Sequence, residues 1–327
     1  MKYNPIAGLA LGLGLAASPA LAQDPVLYTS NPVPAYEAVQ AAVKGALDTD
    51  LGVITGGSGV LLRRIEAEQG NVQGDVFWSS SANTLGAFEA LFEAYASPEL
   101  AAIPEALRYP GDLFQPTNIH LVTIMVNTDL LDGATAPTSW AELADPVWKG
   151  RVIMPDPANS STGYTIAWGL SKLLDEQTYK AVVANVVTSG SSSAVPKGVA
   201  MGEYAVGLTF ETNSYAYIDG GQTELSLAYP SEGTFQTVEF SGLIKGAPAG
   251  ETAQKTIDTL LSQDAQIALL KAAFRRPSRA DITVSEHVGL PELSAVAVFP
   301  VDEAEAAASR DAFLATWAEL PKAGDAE

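Results

Sequence analysis

Gly74-Asp75-Val76-Phe77-Trp78-Ser79-Ser80-Ser81-Ala82-Asn83 reads as a short apolar strand that empties into serines and then a helix. Outward from it the same unit repeats. Val26-Leu27-Tyr28-Thr29 is a strand ending in Ser30-Asn31, followed by a helix from about Ala35 to Leu47 with Tyr36, Val39, Val43 and Leu47 on one face. Val53-Ile54 is a second strand, and Ser58 stands where it can cap a helix that buries Leu61, Leu62 and Ile65. The helix after Asn83 places Leu85, Phe88, Phe92 and Tyr95 at helical spacing, and His120 to Val126 is an apolar strand leading onward. Further along, Ser139 to Glu142 has capping-box spacing. Arg151 to Met154 is a strand, and Ser160-Ser161-Thr162-Gly163 opens a helix with Ile166, Leu170, Leu173 and Leu174 inward. Tyr179, Val182, Val183 and Val186 mark one more helix, Ala205 to Phe210 a strand before a short helix, and Val238 to Ile244 a return strand. Two final helices carry Ala253, Ile257, Leu260 and Leu261, and then Asp264 to Phe274. Strands alternating with helices specify an α/β fold with largely parallel sheets.

The 327 residues exceed one compact core and suit two lobes. Lys2, the apolar run Ile6 to Ala16, the break at Ser18-Pro19 and the small residues Ala20-Leu21-Ala22 read as a cleavable signal over residues 1–22. That run is too short to anchor in a bilayer, so the expected location is the periplasm. No cysteine is present, which removes disulfides, thiolate metal sites and cysteine nucleophiles. The net charge of −20 disfavours nucleic acid and anionic lipid as partners. The acidic, alanine-rich tail after Leu320 is expected to fray.

Several stretches resemble the type II periplasmic binding proteins. Gly74 to Ser81 is similar to their "ADVFxS" strand. Pro137 to Gly150 is similar to their "PTSWxDLxDPxWKG" segment. Asp156 to Tyr164 resembles the "DPxxSGTGY" segment of the branch that carries ferric iron, sugar phosphates and 2-aminoethylphosphonate. Leu261 to Gln266 and Arg275 to Arg279 are similar to its "LSPEAQ" and "RRPxR" stretches. The resemblance implies two α/β lobes joined by crossing strands, with the ligand in the cleft between them. The lobes are expected at 23–125 completed by about 243–280, and 126–242 completed by about 281–320. It also implies closure on the ligand, a monomer, and docking on an ABC permease of the inner membrane. A ligand-sensing subunit of a membrane receptor would have the same fold.

Ser30-Asn31, Ser79-Ser80-Ser81 and Ser161-Thr162-Gly163 sit at strand-to-helix junctions, where unpaired N–H groups and hydroxyls suit an anion. Plain N-capping is the competing reading of each. Glu211, Thr212 and Glu232 offer acceptors for sugar hydroxyls or an ammonium, and Trp78 a ring to stack on, although a tryptophan ending a buried strand is more often core. Arg275, Arg276 and Arg279 suit an anion, a helix dipole or a bridge between lobes. A phosphorylated or phosphonate-bearing solute is therefore expected, with no cofactor. Iron is the alternative. Only Tyr215 and Tyr217 resemble the paired tyrosines of the ferric receptors, while His120 reads as core and His287 is isolated. Gly56-Gly57-Ser58-Gly59-Val60 misses the nucleophile elbow because Val60 stands where glycine is needed. With no P-loop, HExxH or EF-hand loop, catalysis is not expected.

Overall fold

The computed structural model describes residues 23–326 and Met1. The export signal expected over residues 1–22 thus falls almost wholly outside the described residues. The chain begins with β1 (Val26–Thr29), α1 (Val33–Leu47), β2 (Gly52–Thr55), α2 (Ser58–Ala67) and β3 (Val76–Trp78). β1 lies between β2 and β3 and is parallel to both. α1 has Pro34 in its first turn, where a missing N–H costs nothing, and buries Ala35, Val39 and Val43 at four-residue spacing.

Next come α3 (Ala82–Leu85), a 3-10 turn over Gly86–Leu91 and β4 (Phe92–Glu93). The single helix expected through Leu85, Phe88, Phe92 and Tyr95 does not form. Phe92 and Glu93 pair instead with Ile244 and Leu243. The Tyr95 hydroxyl donates to Asp258 at 2.9 Å. β5 (Gln115–Asn127) is longer than its apolar stretch, because polar Gln115, Thr117 and Asn118 are buried with partners.

The second half holds β6 (Val152–Pro155), α4 (Ser161–Leu173), α5 (Glu176–Asn185) and β7 (Val186–Ser189). α6 (Ala194–Ala200), β8 (Val206–Phe210), α7 (Glu211–Asp219) and β9 (Leu225–Ala228) follow. Val186, expected to end a helix, starts β7 in parallel register with Val152. The capping box at Ser139 is also replaced. The Thr138 N–H donates to Glu142 at 2.7 Å, while Ser139 Oγ donates to Glu232 at 2.6 Å.

β10 (Thr234–Ile244) runs back, followed by α8 (Glu251–Leu261), α9 (Gln263–Ala273), β11 (Arg276–Pro277), β12 (Val298–Phe299), α10 (Glu303–Ala308) and α11 (Arg310–Ala318). The tail expected to fray forms a 3-10 turn, Ala323–Ala326, beside β7. The sheet order is β2-β1-β3-β10-β5-β8-β6-β7. Parallel strands make each flank, while β5 and β10 run antiparallel through the middle. β5 bonds β10 up to Leu121 and β8 from Val122 onward, so it belongs to both halves. Separate cores flank it. One gathers Trp140, Trp148, Ile166 and Phe235, and two others lie on opposite faces of the first half. This is the two-lobe α/β architecture with crossing strands. Among the described residues no helix is long and apolar enough to cross a membrane.

Candidate functional site

Ligands of open parallel sheets sit beyond the carboxyl ends of the strands. Here those ends face a cleft of about 910 Å³ lined from both halves. β1 and β3 are in register at Thr29 and Trp78, so Ser30 and Ser79 emerge side by side. Their hydroxyls are hydrogen-bonded to each other, and Ser58 Oγ joins them, 2.7 Å from Ser79 and 3.2 Å from Ser30. Ser58 was expected to cap α2, but the N-cap is Gly57. The side chain is thereby free to complete a triangle of hydroxyls at the helix start. Ser80 adopts φ +67°, a left-handed backbone unusual for serine, and its buried Oγ has no partner among the described residues. Such strain concentrates where a chain is re-aimed toward a site. Arg63, one turn along α2, also lines this wall.

The facing wall repeats the pattern. β6 and β7 are in register at Pro155 and Ser189, and their ends lead to Ser160–Thr162 and Ser191–Ser193. Ser160 Oγ accepts from the Gly163 N–H at 3.2 Å and so caps α4. Ser161 and Thr162 also line the cleft. Capping thus falls to Ser160, while Ser161 and Thr162 stand on the cleft wall. Thr162→Ala is expected to weaken binding of an anionic solute roughly 10- to 100-fold through one lost charge-assisted hydrogen bond. The melting temperature should stay within a degree or two, because Ser160 keeps the cap. Affinity and melting curves measured on one preparation check this, and a lower melting temperature with unchanged affinity would return Thr162 to a purely structural role.

The floor is built where β5 and β10 cross. Glu239 precedes a register shift in β10, a common device for aiming a side chain. Asn31 Nδ2 donates to Glu239 Oε1 at 3.2 Å, and Arg275 Nη2 donates to Asn31 Oδ1 at 2.7 Å. His120 stacks on Phe210 with ring centroids 4.5 Å apart and touches Arg275 Nη1 at 3.1 Å. Burial and the Arg275 charge push the His120 pKa down. Burial works against the Glu239 carboxylate, but His120, Arg275 and Asn31 hold its pKa below the ordinary value. Arg310 adds a third guanidinium from α11. It lies 4.3 Å over the Tyr164 ring, and its buried Nη1 has no hydrogen-bond partner among the described residues.

Of the residues singled out in the sequence, Ser30, Asn31, Ser79, Ser80, Ser81, His120, Ser161, Thr162 and Arg275 line this cleft. Trp78, Gly163, Glu211, Thr212, Glu232, Arg276, Arg279, Tyr215 and Tyr217 do not. Trp78 is fully buried, and its indole N–H donates to Thr117 Oγ1 at 3.0 Å. A Cβ on Gly163 would stand 2.3 Å from the Pro155 carbonyl oxygen, so the close approach it permits is of the chain's own backbone. Glu211 is fully buried and takes Arg276 Nε at 2.6 Å and Nη2 at 2.7 Å, with the Tyr229 hydroxyl as a third donor. Thr212 is buried beside it, and its Oγ1 has no partner among the described residues. Glu232 caps the 139–141 segment, accepting from Ser139 and the Trp140 and Ala141 N–H groups. Burial opposes its ionisation, but those donors keep its pKa below the usual carboxylate value. Arg279 pairs with Asp281 at 2.7 Å and with Glu99. Tyr215 packs edge-on against Phe274 and Tyr217 joins an apolar cluster around Met125, so neither lines the cleft. Among the described residues no three His, Asp or Glu side chains are grouped to hold a metal ion.

Sequence reasoning missed Ser58, Arg63, Glu239, Arg310 and Ser191–Ser193; His120, read as a satisfied core residue, is buried and hydrogen-bonded and also borders the cleft. Ser191–Ser193 repeats the strand-then-serines pattern of Ser79–Ser81 and was readable once Val186 is recognised as a strand residue. A lone charge at Glu239 in an otherwise apolar strand was also a signal. Arg63 and Arg310 carried none.

Comparison with known proteins bears on the family and the fold. Residues 75–307 match the family described as bacterial extracellular solute-binding protein. A Salmonella typhi protein named for 2-aminoethylphosphonate binding in the periplasm is 25% identical over 71% of each chain. Iron uptake protein A1 of Synechocystis sp. is 27% identical over 84% of this chain and 81% of its own. The structure of the periplasmic binding protein AfuA from Actinobacillus pleuropneumoniae, with exogenous fructose-6-phosphate bound, superposes with a TM-score of 0.81. It is 25% identical and covers 91% of this chain and 98% of its own.

Proposed function

The chain belongs to the bacterial extracellular solute-binding proteins, and from that premise we propose that it captures a small anionic solute, a phosphate ester or phosphonate, for an ABC importer. In this reading it is a binding protein and not an enzyme. It is exported, held in the periplasm, and delivers its solute to an inner-membrane permease. The movable halves are residues 23–125 with about 243–280, and 126–242 with about 281–320, and β5 and β10 are the hinge.

One observation carries the ligand class. The chain has a net charge of −20, yet among the described residues its cleft is lined by Arg63, Arg275 and Arg310 against the single carboxylate of Glu239. A cationic cleft in an acidic molecule concentrates anions against the field of the rest of the surface. The hydroxyls at the starts of α2 and α4 supply directional donors, and the helix N-termini add partial positive charge. The placement of Tyr215 and Tyr217 outside the lining favours this over tyrosine-ligated iron.

Calorimetric titration with sugar phosphates, aminoalkylphosphonates and ferric citrate tests the reading. Heat from at least one phosphorus compound is expected. A coloured protein with a tyrosinate-to-iron charge-transfer band, and no heat from any phosphorus compound, would reverse the assignment.

A further inference from the structure

The two halves also meet beside the cleft floor, through α10. By most of its contacts α10 belongs to the second half. β12 runs parallel to β10 at Thr234 and Phe235 and delivers the chain to Asp302, which caps α10 by accepting from the Ala304 and Glu305 N–H groups at 2.9 and 3.0 Å. From α4, the Tyr164 hydroxyl donates to the Ala306 carbonyl at 2.5 Å, and Lys172 pairs with Glu305 at 2.6 Å. The first residue of α10 nevertheless reaches the first half. α10 packs against α3, and Asn83 of α3 lines one small cavity with Glu303, Tyr164 and Trp168. Glu303 accepts from the Thr237 hydroxyl on β10. Burial raises the Glu303 pKa, while Thr237 and the Ala82 and Val238 N–H groups work the other way. Ala82 opens α3 directly after Ser79–Ser81. Ser81 does not cap that helix start with its side chain, because its hydroxyl goes to Asn83 Oδ1 at 2.9 Å. The Glu303 carboxylate stands where the local cap is missing, and a negative charge is favourable there.

We propose that α10 is a strap joining the two cleft walls, tied by Glu303 to the Ser79–Ser81 wall and by Tyr164 to the α4 wall, and that it limits how far the walls separate before a solute arrives. Neither Glu303 nor Tyr164 lines the cleft, so both are positioning residues that act through the walls they hold. The strap rests on the division into two movable halves and is independent of which solute binds. Walls kept near their binding separation have less freedom to lose on closing, and such preorganisation lowers the cost of binding. A merely local role is distinguishable. A cap steadies α3 alone, whereas a strap also restrains the separation of the halves.

The chain has no cysteine, so Lys44→Cys on α1 and Lys180→Cys on α5, both exposed and on opposite halves, accept spin labels at those two positions alone. Double electron–electron resonance then reads the separation of the halves in the ligand-free protein. In that labelled background Glu303→Ala is expected to broaden the distance distribution and shift it to longer separations. Glu303→Gln, which keeps an oxygen acceptor at that position, should restore most of the wild-type distribution. Hydrogen exchange over residues 79–85 should quicken in Glu303→Ala as the start of α3 loosens. Quicker exchange with an unchanged distance distribution would make Glu303 a local cap and overturn the strap. An unchanged distribution with unchanged exchange overturns it as well. If Glu303→Ala does not fold, Tyr164→Phe, which frees the other end and keeps the ring, decides. A broadened distribution then supports the strap, and an unchanged one overturns it.

Discussion

Glu211→Gln is expected to destabilise the protein by about 3–5 kcal/mol, the usual consequence of stripping one partner from a buried ion pair. Glu211 is fully buried, Arg276 is 1% exposed, and the pair is bidentate. Burial would lower the Arg276 pKa, but the Glu211 carboxylate more than compensates and holds it above its ordinary value. The same carboxylate, together with burial, raises the Tyr229 pKa. Without the Glu211 charge, Arg276 keeps only its Nη1 bond to the Pro291 carbonyl at 2.8 Å and one amide contact. A domain whose total stability is roughly 5–15 kcal/mol feels such a loss acutely. Urea unfolding measures it as a lower midpoint, and affinity measured well below the transition should change little, since Glu211 does not line the cleft. Wild-type stability with lost affinity would instead make Glu211 a ligand group.

Gly163→Ala is the second large effect. Its Cβ would meet the Pro155 carbonyl oxygen at 2.3 Å and the carbonyl carbons of Pro155 and Asp156 at 2.8 Å. All three are backbone atoms, so no side chain can rotate away. Either β6 or the first turn of α4 must move, at a cost of about 3 kcal/mol, toward the upper end of overpacking. Because Ser161 and Thr162 ride on that turn, affinity should fall together with the melting temperature. Thr162→Ala, by contrast, is expected to move affinity alone. An alanine variant with a wild-type melting temperature would show that the contact is looser than this.

What could be read in the sequence was local. An apolar strand that empties into serines is visible within ten residues, and Ser30, Ser79 to Ser81 and the Ser160 turn were found that way. The helix stripes of α1 and α8 were equally legible: Val39 and Val43 are buried with Tyr36 and Leu47 half-buried beside them, and Ala253, Ile257, Leu260 and Leu261 are all buried. What failed was tertiary. Phe92 and Tyr95 fit a helical spacing, but pairing with Leu243 and Ile244 and the bond to Asp258 draw that segment away from the helix. Gln115, Thr117 and Asn118 lie ahead of the apolar run His120 to Val126 yet belong to the same strand, because a polar residue is tolerated in a buried strand when distant partners exist. The floor of the cleft depends on contacts as remote as Arg275 to Asn31, 244 positions apart. Glu211 and Glu232 were readable as carboxylates, but whether a carboxylate meets a solute or an arginine depends on which strand lies opposite.

The central claim is that one anionic solute is gripped by both halves at once, by the hydroxyl triangle of Ser30, Ser58 and Ser79 and by the start of α4. Groups on opposite walls are satisfied together only when the walls approach. Small-angle scattering of the protein with and without a saturating amount of whichever phosphorus compound gives heat tests this most directly. A smaller radius of gyration with the compound bound is the expected result. An unchanged radius of gyration at proven saturation would contradict it.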